Sequence, residues 1–186
     1  IREGLTIIEN ETDRLALLVN ELLDFSKLAS RSISLNVETF EVEEFLCEIK
    51  NQMNPRAHRQ NIKLELDVDE NLNLINADRN RLKQVMINVL DNSLKFTPEG
   101  GEIKILGQEK KDEILVSVED TGIGIPKDEL NKVTDKFYKG RTSLSGNGLG
   151  LAICDEIIRL HKGRIEVSSI LGKGTKVDIF LPLTEI

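Results

Sequence analysis

The sequence predicts an α/β fold in which a mixed β-sheet is covered by helices on one face, preceded by one long helix. Three observations support this prediction. Residues 1–29 carry apolar positions at helical spacing, and strand-like pairs at 102–119 and 164–181 are each joined by a short turn. After residue 34, helical and strand patterns alternate without the regular βαβ rhythm of a Rossmann fold.

The first 29 residues predict one helix with a wide apolar stripe. Its seam and the residues that widen it are Leu5, Ile8, Thr12, Leu15, Val19 and Leu22, with Leu18, Leu23 and Phe25. Such a stripe must be covered by other helices, so we predict a bundle. On pattern alone, an amphipathic helix folded back on its own domain is the alternative. The chain begins at Ile1 inside this pattern, so we expect it to be part of a longer protein.

A polar joint at residues 30–34 precedes a region of mixed character. A short strand is predicted from Leu35, Val37 and Phe40. Five apolar residues at helical spacing then predict a helix that is disturbed near Pro55, namely Val42, Phe45, Leu46, Ile49 and Met53. Alternation across residues 62–68 predicts a half-buried strand, and residues 72–75 are candidates to pair beside it.

The next helix carries a candidate metal site. Asp78 is a good N-cap residue, and an apolar stripe follows it at Leu82, Val85, Met86 and Val89. Asn88, Asn92 and Lys95 stand four and three residues apart, so they share a face away from that stripe. An amide oxygen is a hard ligand, and Mg²⁺ usually takes one or two protein ligands beside water and phosphate. Asn92 with Asn88 is therefore a candidate Mg²⁺ pair.

Two strands are predicted at 102–106 and 113–119, and the second leads directly into the sequence DTGIGI at 120–125. Asp120 stands at the strand end and can accept a hydrogen bond, for which an adenine amino group is a fitting donor. Gly122 and Gly124 can adopt positive φ and let a ligand approach the backbone. This stretch therefore predicts a binding site for a purine nucleotide.

A long loop and a glycine-rich helix start follow. Residues 126–147 show little apolar periodicity, and loops of this length are usually lids, binding loops or disordered. Gly148 and Gly150 open an apolar helix that runs to about His161, and such a helix start favours a phosphate. Strands at 164–169 and 175–181 are predicted to form a hairpin across LGKGT (171–175). This turn is not a P-loop, because Val167 stands where a P-loop has its first glycine.

Four motifs in order resemble those of sensor histidine kinases, in the GHKL superfamily. NVLDNSLKFTPEGG (88–101) resembles the N box, DTGIGI the G1 box, DKFYKG (135–140) the F box and GNGLGLAI (146–153) the G2 box. Residues 160–183 are similar to the closing hairpin of that family. Residues 7–28 are similar to the second helix of its dimerisation and histidine-phosphotransfer hairpin. The resemblance implies two regions: that helix at 1–30, and a catalytic domain at 31–186 with a two-layer sandwich of the Bergerat ATP-binding type.

The resemblance also implies roles for individual residues. Asn92 would be the principal Mg²⁺ ligand with help from Asn88, Lys95 would contact phosphate, and Asp120 would bind the adenine amino group of ATP or ADP. The remaining implied nucleotide-binding residues are Gly122, Gly124, Ile125, Tyr138, Lys139, Arg141, Gly146, Gly148, Leu149 and Gly150. Thr134 and Lys139 depart from the phenylalanine and arginine common in the F box, which puts lid docking on the phosphotransfer helix in question.

The implied function is transfer of the ATP γ-phosphate to a histidine on the missing first hairpin helix, of the same or the partner protomer. A response regulator receiver domain would then take it onto aspartate. Related ATPases of the superfamily, such as the gyrase B subunit, carry a glutamate base where Asn88 stands, and an amide cannot take a proton from water.

The alternatives are a GHKL-type protein serine kinase, against which the long N-terminal seam counts, and a nucleotide-sensing or dimerisation module without catalysis. We expect a cytoplasmic domain of a membrane-anchored homodimer.

Composition narrows the remaining possibilities. A net charge of −7 and a pI near 5.0 argue against a nucleic-acid partner. No run approaches the ~18 apolar residues that a membrane span needs. Cys47 and Cys154 are predicted to be buried, reduced thiols. His58 is predicted to be solvated, and His161 to be structural at a helix end, where an imidazole suits the helix dipole; neither is a promising phosphoacceptor.

Overall fold

The computed structural model describes residues 34–70, 72, 74–130, 132–133 and 149–183. The helix predicted at 1–29 lies outside these residues. In chain order the elements are β1 (Glu38–Glu41), α1 (Val42–Arg59), β2 (Lys63–Val68), β3 (Leu74–Ala77), α2 (Arg79–Phe96), β4 (Glu102–Lys110), β5 (Glu113–Asp120), α3 (Lys127–Leu130), α4 (Gly150–Leu160), β6 (Arg164–Ile170) and β7 (Gly174–Pro182).

Five strands form a mixed sheet in the order β2, β4, β5, β7, β6. The pair β2–β4 is parallel, and the other three pairs are antiparallel. The predicted mixed sheet is therefore confirmed. Its register places Asp120 of β5 between Ile103 of β4 and Thr175 of β7. This pairing brings the end of β5 to the closing hairpin.

The helices cover one face of this sheet, because strand residues alternate between the two faces. Ile103 and Ile105 are fully buried on the helix side, together with Ile49 of α1, Leu90 of α2 and Ile153 of α4. The opposite face carries ion pairs such as Lys104 with Asp67 at 2.8 Å and Arg164 with Glu113 at 2.6 Å. The result is a two-layer sandwich, as predicted. In the part of the chain that is described, no helix is long and apolar enough to cross a membrane.

Two secondary-structure predictions were wrong. Helix α1 continues through Pro55 to Arg59 instead of being disturbed there. Met53 and Ala57 on either side of the proline are buried, and this packing offsets the roughly 3 kcal/mol that an interior proline costs. Strand β3 pairs antiparallel with β1, because β2 takes β4 as its neighbour in the main sheet.

Two smaller predictions also need correction. Cys47 is exposed on α1, whereas Cys154 is buried as predicted. The described part of the loop after residue 126 includes a short helix, α3, whose Glu129 is buried. The sequence offered no apolar repeat in this stretch from which a helix could be predicted.

Candidate functional site

Helix α2 positions the two candidate metal ligands. Its N-cap is Asp78, whose Oδ1 accepts a hydrogen bond of 3.0 Å from the backbone N–H of Arg81. The predicted stripe is confirmed, since Leu82, Val85, Met86 and Val89 are all buried. Ser93 and Leu94 extend it to the last turn. Burial of this stripe fixes the rotation of the helix about its axis and hence the direction of its polar face.

The three polar residues of that face have different surroundings. Asn88 and Asn92 are half-buried, whereas Lys95 is exposed. The Cys154 thiol of α4 lies beside the turn of α2 that carries Asn88, with its Sγ 3.7 Å from the Val85 carbonyl oxygen. The ammonium of Lys95 lies 4.7 Å from the ring centroid of Phe96. Asn88 is half-buried because α4 packs beside α2 at this turn.

Asp120 is a buried carboxylate at the end of β5, with 8% of its surface exposed. Its Oδ1 accepts hydrogen bonds from the backbone N–H groups of Gly122 at 2.9 Å and Thr175 at 3.1 Å. The Ser93 side chain of α2 also bonds to it. Burial raises the pKa of the Asp120 carboxyl above its ordinary value, and these three hydrogen bonds oppose the rise in part.

The two glycines after Asp120 are required for different reasons. Gly124 has φ +67°, and a Cβ there would lie 2.2 Å from the backbone oxygen of Ile170. Gly122, which could adopt a positive φ, does not do so. A Cβ at Gly122 would instead lie 2.7 Å from the Phe96 carbonyl oxygen and 2.8 Å from Asp120 Oδ1. Close approach to the end of α2 therefore explains the glycine at position 122.

The loop at residues 121–125 is held on both sides by hydrogen bonds. The N–H of Ile123 donates to the Phe96 carbonyl at 3.1 Å, and the Ile123 carbonyl accepts from Gly172 at 2.7 Å. The N–H of Ile125 donates to Ser169 Oγ at 2.8 Å. The site loop is thus fixed between the end of α2 and the turn joining β6 and β7.

Helix α4 begins at Gly150 and ends beside the start of α2. Leu149 is buried, and its carbonyl accepts the first helical hydrogen bond, from Ile153 at 2.8 Å. Among the described residues, no side chain caps this N-terminus. At the other end, the His161 ring is buried between the Ile157 carbonyl and the backbone N–H of Asp78. The structural role predicted for His161 is consistent with these contacts.

The structure brings together one part of the predicted site. Asp120 and Gly122 lie against the last turn of α2, whereas Gly124 and Ile125 lie against the end of β6. Asn88 lies in the turn of α2 that packs on α4. Leu149 and Gly150 stand at the start of α4. The remaining predicted residues, Tyr138, Lys139, Arg141, Gly146 and Gly148, lie outside the described residues.

Three residues that contact the site loop or Asp120 were missed by sequence reasoning, namely Ser93, Ser169 and Thr175. Ser93 had a usable signal, because it is a polar residue in the otherwise apolar stripe of α2. Thr175 and Ser169 had none, because their proximity to Asp120 and Ile125 depends on how the strands pair.

Side-chain chemistry limits the way in which a metal could be held. Over the described ranges, no group of three or more His, Cys, Asp or Glu side chains is arranged to hold a metal ion. The carboxamides of Asn88 and Asn92 supply hard oxygen donors that suit Mg²⁺ if ligand phosphates complete the coordination. These two residues therefore fit a metal that arrives with a nucleotide.

The family profile described as "Histidine kinase-, DNA gyrase B-, and HSP90-like ATPase" matches residues 77–185, and the chain belongs to this family. The match spans α2, Asp120, the glycine loop and the closing hairpin.

Two curated relatives from Bacillus subtilis (strain 168) are sensor histidine kinases. YclK is 36% identical over 190 residues, covering 96% of this chain and 38% of YclK. WalK is 39% identical over 189 residues, covering 97% of this chain and 30% of WalK.

Solved structures give the same assignment. Full-length ShkA in complex with AMPPNP aligns with a TM-score of 0.89 at 30% identity, covering 100% of this chain and 39% of ShkA. Histidine kinase ThkA in complex with the response regulator TrrA aligns with a TM-score of 0.78 at 30% identity, covering 96% of this chain and 50% of ThkA. The predicted histidine-kinase-type ATP-binding fold is confirmed. The chain spans about a third of the length of the two curated relatives.

Proposed function

We propose that this chain is the ATP-binding catalytic region of a sensor histidine kinase, which transfers the γ-phosphate of ATP to a histidine outside this sequence. The observation that carries the proposal is the environment of Asp120. A carboxylate has about four acceptor sites, and Gly122, Thr175 and Ser93 donate to this one. The remaining capacity suits the amino group of adenine.

The phosphate end of the site is proposed to lie between α2 and the start of α4. Asn92 would be the principal Mg²⁺ ligand and Asn88 its assistant, and the ion would neutralise charge on the phosphates. The N-terminus of α4, which no side chain caps among the described residues, offers backbone N–H groups at the positive end of its dipole. No described atom lies within 4 Å of a Cβ built at Gly150, which supports the approach of a phosphate to the backbone there.

The polar residues of α2 favour phosphoryl transfer over hydrolysis. Asn88 carries an amide where a hydrolase needs a base, and an amide cannot accept a proton from water. Lys95, Lys139 and Arg141 are proposed phosphate contacts. Tyr138, Gly146, Gly148 and Leu149 are proposed to surround the nucleotide, with Gly122, Gly124 and Ile125 shaping the adenine pocket.

The proposed context is a two-component system. Residues 1–30 would be the second helix of the phosphotransfer hairpin and residues 31–186 the catalytic domain. The whole protein would be a membrane-anchored homodimer with this region in the cytoplasm, passing phosphate to the receiver domain of a response regulator. The complex of the relative ThkA with the response regulator TrrA supports that partner.

Two measurements test this proposal. Calorimetry should detect binding of Mg-ADP by the wild-type chain, with a large loss of affinity for Asn92→Ala and little change for the control Lys104→Ala on the opposite sheet face. A separate segment that supplies the missing histidine helix should then receive acid-labile label from [γ-³²P]ATP. Tight binding without any label would instead support a nucleotide-sensing module, and acid-stable label on serine would support a serine kinase.

A further inference from the structure

Asp78 is hydrogen-bonded to three parts of the chain at once. Its Oδ2 accepts a hydrogen bond of 2.9 Å from the backbone N–H of Asn36, in the entry segment, residues 34–37, that leads into β1. Its Oδ1 caps α2 by accepting from the N–H of Arg81 at 3.0 Å. Its own backbone N–H donates to Nε2 of His161, at the end of α4, at 3.0 Å. Asp78 is buried, so it joins the entry segment, α2 and α4 away from solvent.

Helices α2 and α4 run antiparallel from this junction. The end of α4 meets the start of α2 at Asp78. About two turns away along both helices, the Sγ of Cys154 in α4 lies 3.7 Å from the carbonyl oxygen of Val85 in α2. One further turn in the same direction brings the start of α4, at Gly150, beside the turn of α2 that carries Asn88. The junction at Asp78 therefore helps to set the separation between the two sides of the proposed phosphate site.

The geometry points to Asp78 as a positioning residue through which the entry segment controls the phosphate end of the nucleotide site. With Asn36 in place, both carboxylate oxygens are bonded, which fixes the residue whose N–H binds His161. A buried oxygen that loses its donor is unfavourable, so without Asn36 the carboxylate turns toward water and the junction of α2 with α4 loosens. This inference rests on the proposed function, because it requires that phosphates bind between these two helices.

Two substitutions remove the bond between Asn36 and Asp78 from opposite sides. Asn36→Pro removes the donor N–H. Asp78→Ser keeps one oxygen to cap α2 but has none left for Asn36. We expect each to weaken AMPPNP binding in Mg²⁺ by about 5-fold or more, as is typical of coupled sites, and to leave adenosine affinity unchanged. Adenosine lacks phosphates and reports on the adenine end of the site alone, and NMR titration measures both affinities.

Further variants distinguish a failure of this inference from a failure of the proposed function. Asn36→Ala keeps the backbone N–H and is the matched control, which should bind AMPPNP as the wild type does. Combining Asn36→Pro with Asp78→Ser should cost no more than either alone, because both break the same bond. Asn36→Pro with wild-type AMPPNP affinity, or with an equal loss for adenosine, would overturn the positioning role. A wild-type chain that does not bind AMPPNP would instead overturn the proposed function.

A second measurement uses the wild-type chain and does not require any variant to fold. Coupling is reciprocal, so bound phosphates must strengthen the Asn36 bond by the factor by which that bond strengthens their binding. Mg²⁺ and AMPPNP should therefore slow amide hydrogen exchange at Asn36 more than adenosine does. The control is the Asp69 amide, which donates to the Gly107 carbonyl at 2.9 Å in the main sheet. Exchange at Asn36 that AMPPNP leaves unchanged, or slows only as much as at Asp69, would overturn the inference.

Discussion

His161 accepts, through Nε2, a hydrogen bond of 3.0 Å from the backbone N–H of Asp78. Its Nδ1 lies 2.8 Å from the Ile157 carbonyl oxygen, to which it must donate. The ring is therefore neutral, with its proton on Nδ1. This arrangement differs from a charged imidazole stabilising the end of α4 through the helix dipole. It joins the end of α4 to the N-cap of α2, the two helices on either side of the proposed phosphate site.

The first prediction concerns stability at mildly acidic pH. Burial lowers the pKa of His161 below its ordinary value of 6.5, so below that pH the unfolded state binds the proton more readily than the folded state. The free energy of unfolding should therefore decrease as pH falls from 6.5 toward the folded pKa. His161→Phe should cost about 1–3 kcal/mol at pH 7.5 through loss of the two hydrogen bonds.

Urea unfolding at pH 7.5 and 5.5 measures both effects. His161→Phe should reduce the difference in stability between the two pH values, whereas the control His58→Phe, at an exposed position, should leave it as in the wild type. An unchanged difference in His161→Phe would mean that other groups cause the acid sensitivity.

The second prediction separates binding from stability at Asp120. Because burial raises the pKa of this carboxyl, its charged form is less favourable in the folded state, and ionisation reduces stability as pH rises through the folded pKa. An asparagine oxygen can still accept from Gly122 and Thr175. Asp120→Asn should therefore unfold at an equal or higher urea concentration at pH 7. It should bind ADP at least about 10-fold more weakly, because hydrogen bonds to charged groups contribute about 1.5–3 kcal/mol.

Calorimetry and urea unfolding on the same Asp120→Asn preparation check this pair of outcomes. Asp178→Asn provides a comparison at a strand carboxylate of β7 that is not in the proposed site, and it should bind ADP normally. If Asp120→Asn bound ADP as tightly as the wild type, the carboxylate would not be the adenine acceptor.

The third prediction compares two glycines with similar backbone angles. Gly124 and Gly172 have φ +67° and +77°, so alanine at either position incurs roughly 1–2 kcal/mol of left-handed strain. A Cβ at Gly124 would also lie 2.2 Å from the Ile170 oxygen, whereas no described atom lies within 4 Å at Gly172. In urea unfolding, Gly124→Ala should therefore be less stable than Gly172→Ala, and equal losses would mean that the loop shifts to relieve the contact.

The fourth prediction is a stabilising substitution. Lys162 has φ +57° in the turn after α4, a conformation that costs a non-glycine residue roughly 1–2 kcal/mol. Because glycine loses more conformational freedom on folding, Lys162→Gly should raise the free energy of unfolding by about 1 kcal/mol or less. Thermal unfolding can test this against Lys173→Gly, in another exposed turn without positive φ. A gain of equal size in the control would assign the effect to the lost charge instead.

Local sequence patterns were sufficient to predict the features that depend only on the helix or strand in which a residue lies. The stripe of α2, the strand before Asp120 and the closing hairpin follow from apolar spacing and turn residues, and the structure has all three. The four motifs in order were sufficient to predict the family.

The sequence was not sufficient to predict the features that depend on packing between distant helices and strands. The pairing of β3 with β1 depends on competition with β4 for the edge of β2. Cys47 lies on the outer side of α1, although its neighbour Leu46 is buried. Gly122 does not have a positive φ. Glycine is required at position 122 because a Cβ there would lie too close to the Phe96 carbonyl oxygen, and no local sequence pattern encodes that contact.

Strand β7 lies between β5 and β6, although both β6 and β7 follow every other described element along the chain. During synthesis, residue 175 emerges from the ribosome more than fifty residues after Asp120, and the two form their hydrogen bond only then. A nascent chain that stops short of β7 therefore has an open sheet edge at β5 and lacks the Thr175 contact of the proposed purine pocket. We expect ATP to bind only after translation has delivered the C-terminal hairpin, so an interrupted polypeptide would expose β5 to aggregation instead of forming a partly active kinase domain.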